Sequence, residues 1–184
     1  MNILIDKLPT DYEGLKINTN FRSFILFELL MQDNTLTPEE KIGLSLNLFY
    51  DEVKDVEKAL KGILWFYSMG KKDTIEQKET TRKRQKAIYS YEHDANLIYS
   101  AFLSQYGLDL NEIEYLHWWK FKSLFEGLND DNKICEVMGY RAIDISKIKD
   151  KDEKKRYRDI QRKYALPDNR TEEEKEADFA DAFW

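Results

Sequence analysis

Apolar residues recur along this chain mostly at steps of three and four, the spacing that lines one face of a helix. Val53, Val56, Leu60, Ile63 and Tyr67 form one such stripe, which stops at Gly70. Tyr91, Ala95, Ile98 and Phe102 form another, ending near Gly107. Phe21, Phe24, Ile25 and Leu29 follow Asn20, whose side chain suits a helix cap. That segment is apolar on almost every side, which predicts a buried helix. In Thr37-Pro38-Glu39-Glu40, Thr37 can cap, Pro38 suits the first turn, and Glu40 can reach back to close a capping box. Asp130 to Gly139 reads as a short helix. Asp150 to Tyr164 reads as a charged one with a thin stripe of Tyr157, Ile160 and Tyr164, stopped before Pro167. Thr171-Glu172-Glu173-Glu174 offers a second capping box for a short terminal helix.

The N-terminus follows a different rhythm. Ile3-Leu4-Ile5 and Leu15-Lys16-Ile17 are short β-type runs separated by Pro9 and Gly14. They predict a small hairpin or strand pair. Two strands alone are marginal, so the pair must lie on the helices. Seven glycines and three prolines in 184 residues favour helices elsewhere. The expected fold class is mainly α: a compact, bundle-like helical domain over residues 1–167, with its β element within 1–18. An acidic, aromatic-ended tail covers 168–184, either mobile or a short helix.

The segment from about Asn111 to Glu126 is the most informative. It contains Tyr115-Leu116-His117-Trp118-Trp119-Lys120-Phe121. On a helical wheel, Ile113, Phe121, Leu124 and Leu128 share one arc, with Leu116 at its edge. Glu112, Lys122, Ser123 and Glu126 define the polar arc. Trp119 and Tyr115 fall inside that polar arc, one turn apart, and Trp118 lies between the faces beside Phe125. Two readings follow. Another segment of the chain, the basic helix or the terminal aromatics, covers that face. Alternatively, Tyr115, Trp118, Trp119 and Lys122, with Phe179, Phe183 and Trp184 of the tail, contact a partner or a second copy.

Composition narrows the function. Charged residues make up 35% of the chain in mixed sign, and the net charge of −6 favours solubility and disfavours broad nucleic-acid binding. Cys135 is the only cysteine, which fits a reducing compartment. No window approaches the roughly 20 apolar residues that span a bilayer. The start lacks the form of a signal peptide. A cytoplasmic location is therefore expected. No phosphate-binding or dinucleotide-binding glycine pattern is present, so no cofactor is expected. Glu114 and His117, at i and i+3, match half of a carboxylate-bridged di-iron site, but no second Glu-x-x-His faces them, so no metal is expected. His117 then serves to cap a polar edge of its helix. Nothing places a nucleophile beside a base, and an enzyme is the least favoured class.

The most basic stretch, Lys147 to Lys163, interleaves Lys154, Lys155, Arg158 and Arg162 with Asp150, Asp152, Glu153 and Asp159. Interleaving favours a solvated helix laced with i,i+4 pairs; the alternative is a basic docking surface. The acidic tail can fold back on that helix or compete for it. Lys71 to Lys86 is a second polar, basic segment, either a loop or the exposed start of a helix.

The Trp stretch resembles the bacteriophage gp-fifteen family of tailed phages and prophages of Gram-positive bacteria. The resemblance runs over nearly the whole chain. Ile17-Asn18-Thr19-Asn20-Phe21-Arg22 resembles the family's entry into its first helix. Tyr91-Glu92-His93-Asp94-Ala95, Tyr99-Ser100-Ala101-Phe102 and Tyr106-Gly107-Leu108-Asp109-Leu110 resemble the segment before the Trp pair. Arg141 to Asp150, Arg156-Tyr157 and Tyr164-Ala165-Leu166-Pro167 resemble its C-terminal half. The resemblance implies a siphophage tail-module protein encoded beside the tape-measure protein. It further implies a tail assembly chaperone that keeps the tape-measure protein soluble in the host cytoplasm until the tail tube polymerises around it. The implied partners are the tape-measure protein, a second tail assembly chaperone and further copies of this chain. A structural component retained in the virion is the alternative, and a nucleic-acid-binding morphogenesis factor the next. The resemblance supplies no catalytic motif.

Overall fold

The computed structural model describes residues 3–71 and 87–167. Among these residues the chain forms seven α-helices and one two-stranded sheet. The helices are α1 Phe21–Gln32, α2 Pro38–Phe49, α3 Val56–Tyr67, α4 Ala95–Tyr106, α5 Trp118–Glu126, α6 Lys133–Ala142 and α7 Lys151–Lys163. A short 3₁₀ turn, Ile145–Lys147, leads into α7. The predicted caps form. Asn20 accepts a hydrogen bond from the Arg22 N–H at 3.1 Å. At α2 the Glu40 N–H donates to Thr37 Oγ1 at 3.2 Å, and the Thr37 N–H donates to Glu40 Oε2 at 2.8 Å. Such a cap contributes about 1 kcal/mol. The α4 helix ends at Gly107, which is left-handed with φ 63°.

The hairpin forms with one of the two expected strands, Leu15-Lys16, but its partner differs. Asp11–Tyr12 (β1) pairs antiparallel with Leu15–Lys16 (β2). Glu13 and Gly14 both have positive φ, at 49° and 82°, the tight two-residue turn whose twist suits a hairpin. The Gly14 N–H donates to Asp11 Oδ1 at 2.9 Å. This turn joins only the strands beside it. Ile3-Leu4-Ile5 therefore stays outside the sheet, with Leu4 and Ile5 90% and 81% exposed. Pro9, which cannot donate to a ladder, stands between them and β1.

The core is aromatic. Phe24, Phe49, Phe66, Phe102, Trp118 and Phe121 are all fully buried. Phe121 of α5 stacks on Phe21 of α1 and on Phe102 of α4, each at 5.0 Å between centroids. Trp118 stacks on Phe24 at 5.1 Å and on Phe121 at 5.7 Å. The short α5 is thus the layer that α1 and α4 share. Helix α1 departs from the all-buried expectation. It packs on α2 and α5, which bury Phe21, Phe24 and Phe27 but leave Leu26 and Met31 exposed.

Among the described residues one ion pair is buried. Arg141, in the last turn of α6, donates from Nη1 to Asp94 Oδ2 at 2.6 Å and from Nη2 to Oδ1 at 3.0 Å. It also donates to the Ile88 carbonyl at 3.1 Å and to the Tyr164 carbonyl at 2.7 Å. The Ser90 N–H adds a bond to Asp94 Oδ2 at 2.9 Å. One guanidinium therefore joins the segment before α4, α6 and the end of α7. Both side chains are under one-tenth exposed, so deleting one partner strands a charge. Arg141→Met is expected to cost about 3–5 kcal/mol. In urea unfolding, the Asp94→Asn/Arg141→Met double variant should lose less than the two single losses added together. Additive losses would refute the coupling.

Candidate interaction surfaces

The predicted helix from Asn111 to Glu126 is shorter than expected, because tertiary bonds take the backbone groups that its first turns need. Arg22 donates to the carbonyls of Leu110 at 2.7 Å and of Asn111 and Glu114 at 3.4 Å. The Phe21 N–H donates to the Leu116 carbonyl at 2.9 Å, and the Trp118 N–H donates to the Thr19 carbonyl at 2.8 Å. These two bonds make an antiparallel bridge between Asn20 and His117. The chain is extended there, and α5 begins only at Trp118. Tyr115 consequently lies outside the helix, and its wheel position beside Trp119 does not exist. Its ring is 53% exposed, and its hydroxyl lies 2.7 Å from Thr19 Oγ1.

Both tryptophans face inward, with Trp118 1% and Trp119 3% exposed. The Trp119 Nε1–H donates to the Phe66 carbonyl at 2.8 Å, and the Trp118 Nε1–H donates to the next carbonyl, Tyr67, at 3.4 Å. Those carbonyls lie in the last turn of α3, where the helical ladder runs out; the Phe66 carbonyl also accepts from the Met69 N–H at 3.1 Å. Trp119 also packs on Trp65 at 5.2 Å and on Phe66 at 5.8 Å. Gly70, at φ +72°, closes the site: a Cβ there would lie 3.2 Å from the rings of Trp119 and Trp65. The surplus aromatic face is therefore covered by α3. The basic helix is not the covering segment, the terminal aromatics lie outside the described residues, and neither indole offers a face to a partner in this arrangement.

His117 is the N-cap of α5. Its Nδ1 accepts from the Trp119 N–H at 3.0 Å, and its Nε2 lies 2.8 Å from the Pro9 carbonyl. A carbonyl can only accept, so Nε2 carries the proton and the ring is neutral. Burial lowers its pKa, partly opposed by the Pro9 carbonyl. Among the described residues no group of His, Cys, Asp and Glu is arranged to hold a metal. Burial also raises the Cys135 thiol pKa, which moves it away from thiolate reactivity.

Lys122 sits among the rings of Trp118, Tyr89 and Phe125, at 5.7–5.9 Å from their centroids, and 3.9 Å from Glu126. It opens onto a cleft of about 420 Å³ walled by Tyr89, Phe125, Leu128 and Met138. Nearby, the Tyr67 hydroxyl donates to Glu28 Oε2 at 3.0 Å. Burial pushes the Glu28 pKa up. Burial, then the Glu28 charge, pushes Tyr89 to about 12. The Tyr91 hydroxyl is buried without a hydrogen-bond partner among the described residues.

Two surfaces remain open. Leu26 and Met31 of α1, Ile42 and Leu44 of α2, and Val56, Leu64 and Tyr67 of α3 are exposed. The apolar surround of α1 is the sequence signal for this surface, because a helix apolar on every side either is buried or leaves part of itself exposed. On α7, Lys155, Arg158 and Arg162 are exposed, whereas Lys154 is half-buried. The expected lacing is sparse: among the described residues the only ion pair within α7 is Arg162–Asp159, at 3.8 Å. Phe179, Phe183 and Trp184 lie outside the described residues, as does most of Lys71–Lys86.

Two outcomes follow. Unfolded, His117 takes up a proton as pH falls through about 6.5; folded, it resists until lower pH. Its stabilisation is thus present above that pH and declines as pH falls below it. His117→Asn keeps a capping oxygen without the titration, so between pH 7 and 5 its urea midpoint should fall less than that of the wild type. Parallel curves would exclude this role. Trp119→Phe should cost about 2 kcal/mol or more through the lost bond and volume, read by the same unfolding assay.

No helix among the described residues is long and apolar enough to cross a membrane. No curated protein and no solved structure matches the chain. The family model described as Bacteriophage Gp15 protein matches residues 4–166. That match takes in the hairpin, the Trp segment and all seven helices, and stops just before the acidic tail. The chain belongs to the bacteriophage Gp15 family, which points to a role in phage morphogenesis or structure.

Proposed function

We propose that this protein is a tail assembly chaperone. It binds the tape-measure protein in the host cytoplasm and keeps it soluble until the tail tube polymerises around it. It acts by binding, without catalysis or a cofactor. One observation carries the reading. Among the described residues, seven of the twelve exposed large hydrophobics lie on α1, α2 and α3, against one, Leu103, on α4 to α7. The three helices pack in series, α1 on α2 and α2 on α3. An exposed aliphatic surface of this kind suits the apolar face of an amphipathic helix. The exposed ring of Tyr115 and the Lys122 cleft remain candidate contacts beside it. Several copies, each of modest affinity, would coat one long client through avidity.

The test is co-expression with the tape-measure protein. Leu26→Glu/Ile42→Glu/Leu64→Glu removes apolar side chains that are already exposed, so the melting temperature should stay within a few degrees of wild type. The soluble fraction of the client and its co-purification should both fall several-fold. A client equally soluble and bound with wild type, with the triple variant and with no added protein would refute the reading. Mass spectrometry of purified particles should find the protein missing; stoichiometric copies in virions would make it a structural tail component instead.

A further inference from the structure

The basic residues of α7 are ordered by the helix. Lys151, Lys155, Arg158 and Arg162 stand at i, i+4, i+7 and i+11, which brings all four into one arc on the wheel. The opposite arc, with Tyr157, Ile160, Gln161 and Tyr164, is the half-buried one. Gln161 donates to the carbonyls of Tyr140 and Ile143, both at 2.8 Å, and Tyr164 stacks on Tyr140 at 6.0 Å. The helix is thereby anchored on α6 by one side, and its basic stripe faces out. Along that stripe only Arg162 has a carboxylate within 4 Å among the described residues, and that contact is long at 3.8 Å. A protein of net charge −6 thus presents an ordered row of cations with little local neutralisation.

The same chain carries the complementary charge next to it. Residues 168–184 contain Asp168, Glu172, Glu173, Glu174, Glu176, Asp178 and Asp181 against Arg170 and Lys175. They start just beyond Pro167, at the C-terminal end of α7. The 13 residues of α7 span about 20 Å. Seventeen residues, the length of 168–184, have a root-mean-square reach of roughly 23 Å in the random-coil limit. The tail can therefore return along the whole stripe, at an effective concentration in the millimolar range. We infer that the basic stripe of α7 is a docking surface whose resident occupant is this chain's own acidic tail. The contact is electrostatic, so it weakens as salt screens it. It stands independently of any tape-measure client.

Zero-length carbodiimide coupling of the full-length chain tests this, with the isopeptide links mapped by mass spectrometry. Links should join Glu172, Glu173, Glu174 or Glu176 to Lys151, Lys154 or Lys155 within one chain, and fall several-fold at high salt. Arg158→Glu/Arg162→Glu keeps every reactive lysine on α7 and should reduce the same links several-fold. Both arginines are exposed, so the variant should melt near the wild type; if it does not, the salt series on the wild type decides alone. Links spread evenly over distant lysines such as Lys54 and Lys58 would overturn the assignment. So would links unchanged by salt and by charge reversal. Coupling a mixture of isotope-labelled and unlabelled chains gives the last arm: links between labelled and unlabelled chains would put the tail on a second copy, against the intramolecular reading.

Discussion

The fold depends on how residues 116–119 are held. Their backbone makes two hydrogen bonds to the segment entering α1. Their two indoles donate to successive carbonyls at the end of α3. The His117 side chain caps the helix that follows and reaches Pro9 beside the hairpin. Five polar contacts therefore set the position of α5 against α1, α3 and the N-terminal hairpin. Each such bond nets only about 1 kcal/mol. Their larger effect is geometric, because they place Trp118 and Phe121 where the rings of Phe21, Phe24 and Phe102 can stack. An indole with no partner for its N–H would be costly in so dry a place, and the open end of α3 supplies that partner.

This arrangement divides the apolar residues by type. The large aromatics go inside, and what stays outside on the first three helices is mainly aliphatic. A stacked aromatic core is stiff, since the rings have few rotamers and fixed partners. An aliphatic surface adapts more readily, Met31 most of all. The chaperone role proposed above would be well served by that division. Rings committed to the core are not available to trap the wrong partner.

Much of the helical skeleton was legible in local sequence. The Asn20 cap, the capping box of Thr37 and Glu40, and the Gly107 terminus all depend on residues within one turn, and all form as read. What local reading missed was decided by contacts distant in sequence. Arg22 and Thr19 lie nearly a hundred positions from the segment they hold extended, and nothing near Asn111 announces them. The hairpin shows the same limit on a smaller scale: Ile3-Leu4-Ile5 has the right residue types, but the turn at Glu13-Gly14 selects its own neighbours. Tyr115 and Trp119 share a wheel only if the helix exists, so the one error about its start carried over to the proposed contact face. The ion pair of Arg141 and Asp94 was likewise invisible, because its two halves sit among ordinary charged residues.

Helix α7 is held differently from the rest. None of its residues is fully buried, and it is attached through glutamine and tyrosine contacts to α6 and by the Arg141 bond to the Tyr164 carbonyl. A helix so lightly packed gains little from apolar burial, so its charges weigh more in its stability than charges elsewhere do. Asp150, Asp152 and Glu153 at its start and Arg162 and Lys163 in its last turn already suit the helix dipole. The row of cations between the two ends has no such use within the helix and repels itself along i,i+4 spacings. An anionic segment laid along that row would relieve the repulsion. A stripe that is unfavourable for the isolated helix is therefore better understood as half of a contact than as solvated decoration.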